Sequence, residues 1–314
     1  MRKLALVFPG QGSQFVGMGR ALYDSGADAR RLYERADALL GYSLSQLCFE
    51  GPQADLDDTL HAQPAIYVSS VALWLRVAER VRALGERVVC VAGHSLGEYA
   101  ALVASGALDW EQGLRLVQVR AEAMRDAGSS APGGMAAIIG LADEAVAELV
   151  AAVEGGNNAL WLANYNAPGQ VVIAGRREPL ERALALARER GAKRALPLAV
   201  SVACHTPLMA PAAERLAEQL RDTPLGRPWT PVVQNATAAL TVAPEALRAA
   251  LLEQLTAPVR WVASIRAAIA AGVTEFVELG PRSVLAGLIK RIDEQVSVTA
   301  LTDLASLQSY VWEA

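Results

Sequence analysis

The sequence predicts an α/β protein: a large domain on a parallel sheet, interrupted by a smaller unit with its own sheet. Three observations carry this. Short apolar runs alternate with long amphipathic segments at both ends of the chain, as βαβ units require. The middle instead packs short strand and helix signals into fewer than 70 residues between glycine-rich breaks. Finally, 314 residues at 53% hydrophobic can bury a large core together with a smaller satellite.

The elements follow in order. Leu4–Phe8 is a five-residue apolar run stopped by Pro9-Gly10, and it reads as a buried strand. Ala65–Leu84 has a long helical pattern. Val88–Ala92 is a second buried strand, and Glu98–Ala104 after it is helical. Trp110–Arg125 carries Trp110, Leu114, Val117, Ala121 and Met124 on one stripe, the spacing of a helix with one buried face. Near the C-terminus, Thr274–Leu279 reads as a strand, Gly280-Pro281 as a turn and Ser283–Ile292 as a helix.

Between these flanks, Gly133-Gly134 opens a β-α-β-β-α-β order that suits a ferredoxin-like unit. Met135–Gly140 is its first strand. A helix bearing Val146, Leu149, Val150 and Val153 follows, stopped by Gly155-Gly156. Strands are expected at Ala159–Tyr165 and Gln170–Ala174. A second helix runs from Pro179 to Gly191, and Arg194–Val200 closes the unit. The small domain is thus placed at residues 131–199, and the large domain at 1–130 and 200–314.

Composition narrows the function. Twenty-nine basic and 33 acidic residues give a net charge of −4, so no positive field attracts nucleic acid. Cys48, Cys90 and Cys204 have neither C-x-x-C spacing nor enough histidines for a zinc site, which suits a reducing cytoplasm. The apolar run at the N-terminus is shorter than a secretory signal core, and no stretch approaches the ~18 apolar residues of a membrane span. A soluble cytoplasmic protein with no membrane role is expected.

The chemistry centres on Val88-Val-Cys-Val-Ala-Gly-His-Ser-Leu-Gly97, a G-x-S-x-G sequence between a strand and a helix. In that setting the motif is a nucleophile elbow, which marks Ser95 as the nucleophile rather than part of a structural glycine turn. A serine hydroxyl needs a base, usually histidine, and only His61, His94 and His205 exist. His94 adjoins Ser95 and should point to the opposite side. His61 lies in the polar approach to a helix, an ordinary capping position. His205, on a loop leaving the small domain, can project across a cleft and is the expected base.

Arg120 falls at the margin of an apolar helix stripe, beside Met124 and Gly113. A cation there needs either a protein carboxylate or an anionic substrate, because an unpaired buried charge costs several kcal/mol. The functional reading is a clamp for a substrate carboxylate, with Met124 beside it as a second substrate-binding residue.

Phe8-Pro-Gly-Gln-Gly-Ser-Gln14, Gly93-His-Ser-Leu-Gly-Glu-Tyr99, Arg120, Asn166-Ala-Pro-Gly-Gln-Val-Val-Ile-Ala-Gly175 and Ser201-Val-Ala-Cys-His205 together resemble the malonyl-CoA:acyl carrier protein transacylases. The likeness runs over nearly the whole chain. It implies a hydrolase-like α/β domain with an inserted ferredoxin-like domain. It also implies Ser95 and His205 as catalytic pair, the backbone amides of Gln11 and Leu96 as oxyanion hole, and Arg120 as the grip on the malonyl carboxylate. The expected partners are malonyl-CoA and an acyl carrier protein, with no metal or redox cofactor and a monomeric enzyme. Carrier proteins are acidic, and Lys290 and Arg291 resemble the positions that relatives offer to them.

Two departures from the family pattern stand out. Relatives often place a glutamine in the segment equivalent to Pro258-Val-Arg-Trp261, near the carbonyl that orients the histidine, where this chain has Arg260. Cys204 falls where relatives vary with the substituent on the substrate's α-carbon. Two rival readings use the same residues. A serine hydrolase or thioesterase for carboxylated acyl thioesters would admit water to the ester, and a non-catalytic carrier-binding protein would leave Ser95 unlabelled.

Overall fold

A computed structural model describes residues 2–154, 159–200 and 202–312. Six strands form the main sheet: β1 (Leu4–Phe8), β2 (Val88–Gly93), β7 (Val232–Val233), β8 (Leu240–Thr241), β9 (Glu275–Leu279) and β10 (Ser297–Leu301). They lie in the order β10-β9-β1-β2-β7-β8, parallel except at the last pair. Alternation along β1 explains why both faces are covered. Leu4, Leu6 and Phe8 enter one core with the long helix Thr59–Ala83, whereas Ala5 and Val7 enter another with Trp261 and Ile265.

The second sheet holds β3 (Gly133–Ile139), β4 (Leu160–Ala167), β5 (Gln170–Arg176) and β6 (Arg194–Pro197). It is antiparallel throughout, in the order β4-β5-β3-β6. Helices Asp143–Glu154 and Arg177–Glu189 pack on one face, giving the split β-α-β-β-α-β arrangement. The expected stop at Gly155-Gly156 lies outside the described residues. All four strands come from residues 133–197, and the main sheet draws on both flanks.

Boundaries differ where proline or a cap intervenes. The long helix begins at Thr59, six residues before its apolar pattern, because the Asp58 side chain caps it by accepting from the Leu60 N–H. Pro64 is tolerated near this end, where it forfeits a single bond to the Leu60 carbonyl. The helix therefore absorbs His61, expected before it. The closing strand stops at Pro197 rather than Val200, with one further bond beyond it from the Leu198 N–H to the Met135 carbonyl. The late helix starts at Leu285, two residues after the expected Ser283. There Glu278 accepts from the backbone N–H groups of Val284, Leu285 and Ala286.

The two sheets meet beside the elbow. Val259 donates to the Ala163 carbonyl of β4 and accepts from Tyr165, both at 2.9 Å, while Arg260 donates to the Asn235 carbonyl. This strip of main chain fixes the small domain against the ends of β2 and β7, where a parallel sheet presents its ligand crevice.

Candidate active site

Strand β2 ends at Gly93, and the chain turns sharply into the helix Gly97–Ala104. Ser95 sits on that turn at φ 51°, a left-handed conformation that serine adopts only when its surroundings impose it. The glycines make the bend possible. A Cβ on Gly93 would lie 2.0 Å from the Gly97 carbonyl carbon, and one on Gly97 would lie 2.0 Å from the Phe8 oxygen. Hence G-x-S-x-G records the crossing of β1, β2 and the elbow helix at van der Waals limits.

His205 arrives from the segment after the small domain, itself at φ 61°. Its Nε2 lies 2.8 Å from Ser95 Oγ, and its Nδ1 lies 2.8 Å from the main-chain oxygen of Gln254. The carbonyl can only accept, so Nδ1 carries the proton and Nε2 faces the hydroxyl as a free base. Burial, reinforced by the Arg120 cation, pushes the His205 pKa down to about 3. The imidazole is therefore neutral and ready to take a proton at neutral pH.

Arg120 is 1% exposed. Its Nη2 lies 3.0 Å from Ser95 Oγ and 3.2 Å from Gln254 Oε1, and its Nη1 donates to Gln63 Oε1 at 2.5 Å. Among the described residues no carboxylate pairs with it. Two glutamine carbonyls hold the guanidinium, and Nε has no partner although it is buried. A cation solvated only by neutral dipoles keeps its charge for an incoming anion. Met124, 2% exposed, lines the same cavity and touches Gln63 Nε2 through its sulfur at 3.6 Å.

Gln11 and Leu96 also border this cavity of about 350 Å³. Neither backbone N–H donates to any group among the described residues, so both are available to an oxyanion. Leu96 lies at the start of the elbow helix, where amides have no intrahelical acceptor. Leu198, Ala199 and Val200 also border an adjoining cavity of about 780 Å³ that reaches Arg125 and Arg177.

The remaining histidines take other partners. His94 Nε2 bonds Asn166 Oδ1 at 2.8 Å and meets Trp261 edge-on, so it turns away from Ser95. His61 bonds the Asp55 carbonyl. Cys204 lines the pocket beside His205 with its thiol pushed up to about 11 by burial, so it stays protonated. Lys290 and Arg291 are exposed, yet each is tied to main chain. Lys290 reaches the Glu294 and Val296 carbonyls, and Arg291 reaches Pro168 O and Gln170 Oε1 on the β4–β5 turn.

A hydroxyl, a neutral imidazole, free amides and a buried guanidinium on one cavity constitute acyl-transfer machinery. The acyl transferase domain model matches residues 5–307. The malonyl CoA-acyl carrier protein transacylase of Bacillus subtilis is 43% identical over 308 residues, covering 98% of this chain and 96% of that protein. The chain belongs to the malonyl-CoA:acyl carrier protein transacylase family. Among solved members of this family, an acyl carrier protein S-malonyltransferase from Vibrio cholerae matches with TM-score 0.91 and 43% identity, covering 98% of this chain and 99% of that one. A malonyl-transacylase solved in complex with its type II polyketide synthase acyl-carrier protein matches with TM-score 0.92 and 42% identity, covering 98% of both.

The structure of this transacylase locates the orienting carbonyl and adds residues that the sequence reading missed. The carbonyl orienting His205 is the main chain of Gln254, shortly before the Pro258–Trp261 segment, so the departure expected at Arg260 does not touch it. Gln254 ends the helix Pro244–Gln254, where a polar residue reads as an ordinary helix end. Gln63 is fully buried, but it precedes the apolar pattern that starts at Ala65 and stands in a polar stretch, so the sequence did not mark it. Asn235, in a short loop, gave no periodic signal at all.

Proposed function

We propose that the protein transfers a malonyl group from coenzyme A to the phosphopantetheine thiol of an acyl carrier protein, through an ester on Ser95. The observation that carries this reading is the convergence on Ser95 Oγ of His205 Nε2 at 2.8 Å and Arg120 Nη2 at 3.0 Å. Base and anion clamp meet at a single hydroxyl, as a carboxylated acyl group requires.

In the first half-reaction, Ser95 Oγ attacks the thioester carbonyl as its proton passes to His205 Nε2. The tetrahedral oxyanion forms between the Gln11 and Leu96 amides, and each such donor is worth about 100- to 1000-fold in rate. Collapse breaks the carbon–sulfur bond, and the imidazolium returns its proton to the departing coenzyme A thiolate. The malonyl ester remains on Ser95 with its free carboxylate on the Arg120 guanidinium. In the second half-reaction His205 deprotonates the carrier thiol, whose sulfur attacks the ester. The intermediate expels Ser95, which recovers the proton from His205. The cycle draws on no metal or redox group. We place Met124 along the acyl group and Lys290 and Arg291 at the carrier's docking surface. We further propose that the protein acts as a cytoplasmic monomer; separately, among the described residues no helix is long and apolar enough to cross a membrane.

The test is intact-mass analysis after mixing with malonyl-CoA. An added malonyl mass that is absent from Ser95→Ala and is discharged by carrier protein is expected. Release of free malonate without carrier loading would instead establish a hydrolase.

A further inference from the structure

The mechanism leaves unused a buried carboxylate beside the elbow. Glu98, three residues past the nucleophile on the elbow helix, is 1% exposed and sits behind the catalytic surface. Its Oε2 accepts two hydrogen bonds, from Gln254 Nε2 at 2.8 Å and from the Asn235 backbone N–H at 3.1 Å. Those two residues grip the elbow from both sides. Asn235 Oδ1 accepts from the Ser95 N–H at 2.6 Å while its Nδ2 donates to the Gly93 carbonyl at 2.6 Å. Gln254 Nε2 donates to the Ser95 carbonyl at 3.0 Å, Gln254 Oε1 accepts from Arg120, and Gln254 O accepts from His205.

Every polar atom of the Gln254 amide and carbonyl is thereby committed to a different part of the machinery, and Glu98 supplies the shorter of the two bonds that Nε2 donates. Without Glu98, Nε2 keeps only its 3.0 Å bond to the Ser95 carbonyl, and loss of the 2.8 Å bond loosens the amide whose oxygen holds Arg120. We infer that Glu98 is a positioning residue for acyl transfer, holding Gln254 and Asn235 so that nucleophile, base and carboxylate clamp keep their mutual geometry. The inference rests on the malonyl-transfer reading above and adds a layer behind it.

The arrangement also explains why Arg120 lacks a carboxylate partner. A carboxylate in direct contact would compete with the malonyl group for the guanidinium. Placed one amide away, Glu98 faces the cation through Gln254 and leaves its inner donors to the substrate. Burial raises the Glu98 carboxyl to about 7, against opposing contributions from Gln254, Asn235 and Arg120. What Gln254 and Asn235 need from it is an acceptor oxygen, which the neutral acid also provides.

The experiment compares Glu98→Ala with Glu98→Gln by quenched-flow measurement of malonyl uptake on Ser95, each rate normalised to folded protein, with acetyl-CoA as competing donor. Because misplacement by about 1 Å can cost about 100-fold, Glu98→Ala is expected to lose about that factor in uptake and much of its preference for malonyl over acetyl. Glu98→Gln, which keeps the acceptor, is expected to recover both to within a few-fold. If Glu98→Ala does not fold, Glu98→Asp serves, since it retracts the acceptor by one carbon. It should fall between the parent and that loss. Parent-like uptake and selectivity in the alanine or aspartate variant would overturn the inference, and so would a glutamine variant as damaged as the alanine one. A parent protein that takes up no malonyl mass would overturn the transferase reading itself, and this inference with it.

Discussion

At the scale of single residues, the decisive property is an imidazole that is neutral by construction. His205 is held at a pKa of about 3 by burial and by Arg120, so its basic form persists through the range where an ordinary histidine titrates. Acylation of Ser95 measured by rapid quench is expected to stay level from pH 8 down to about 5. A decline centred near the ordinary histidine value of about 6.5 would contradict the buried, Arg120-flanked base. In the proposed cycle Arg120 sets specificity in the same pocket. Arg120→Ala removes the anion's partner, so transfer of malonyl should fall by at least about 100-fold while acetyl-CoA becomes an accepted donor. Competition between the two donors, read by the mass left on Ser95, checks it; an unchanged malonyl preference would remove the clamp.

At the scale of elements, each functional side chain owes its place to a local device. Gly97 lets the elbow helix start against the Phe8 and Pro9 carbonyl oxygens, at 2.0 and 2.9 Å from where a Cβ would stand. Gly97→Ala is overpacking against backbone that cannot yield as a side chain could, and a loss of about 1–3 kcal/mol with collapse of Ser95 acylation is expected. Thermal unfolding and active-site titration measure the two effects. Helix Trp110–Ser130, which carries Arg120, begins at Asp109, whose Oδ1 accepts from the Glu111 and Gln112 N–H groups. Asp109→Ala should cost about 1 kcal/mol of stability and leave acylation per folded molecule intact, because the cap lies three turns from the guanidinium.

At the scale of the whole molecule, two buried groups pull the stability profile in opposite directions. His205 is neutral in the fold and takes a proton more readily once unfolded, so its contribution is lost as pH falls from 6.5 toward about 3. Glu98 behaves inversely. The folded state holds its proton up to about 7, whereas the unfolded chain releases it near 4.5, so its contribution declines as pH rises between those values. Unfolding midpoints across pH should lose their acid-side slope in His205→Gln and their neutral-side decline in Glu98→Gln. Carrier docking belongs to this scale too. Reversing charge at both Lys290 and Arg291 to glutamate should raise KM for carrier protein by about tenfold while malonyl uptake from coenzyme A is unaffected. Equal effects on both half-reactions would place those cations in the fold rather than at the docking surface, since Arg291 also ties the late helix to the β4–β5 turn.

What the sequence determined by itself was whatever depends on neighbours along the chain. The strand–glycine–serine–glycine–helix order at residues 88–104 announced the elbow, because the steric demand for Gly93 and Gly97 is written within five positions. Periodicity exposed Arg120 as a charge on the edge of a buried stripe, and the spacing of short elements across residues 133–197 gave the β-α-β-β-α-β unit. Tertiary structure alone decided the second layer. Gln254 reaches the site because its helix end packs against the elbow 159 residues earlier in sequence, and Asn235 crosses 140 residues to meet the Ser95 N–H. A glutamine at a helix terminus and an asparagine in a loop are solvated by default. Only when folding strips water from them do their hydrogen bonds become obligatory, and their partners are chosen by packing rather than by spacing.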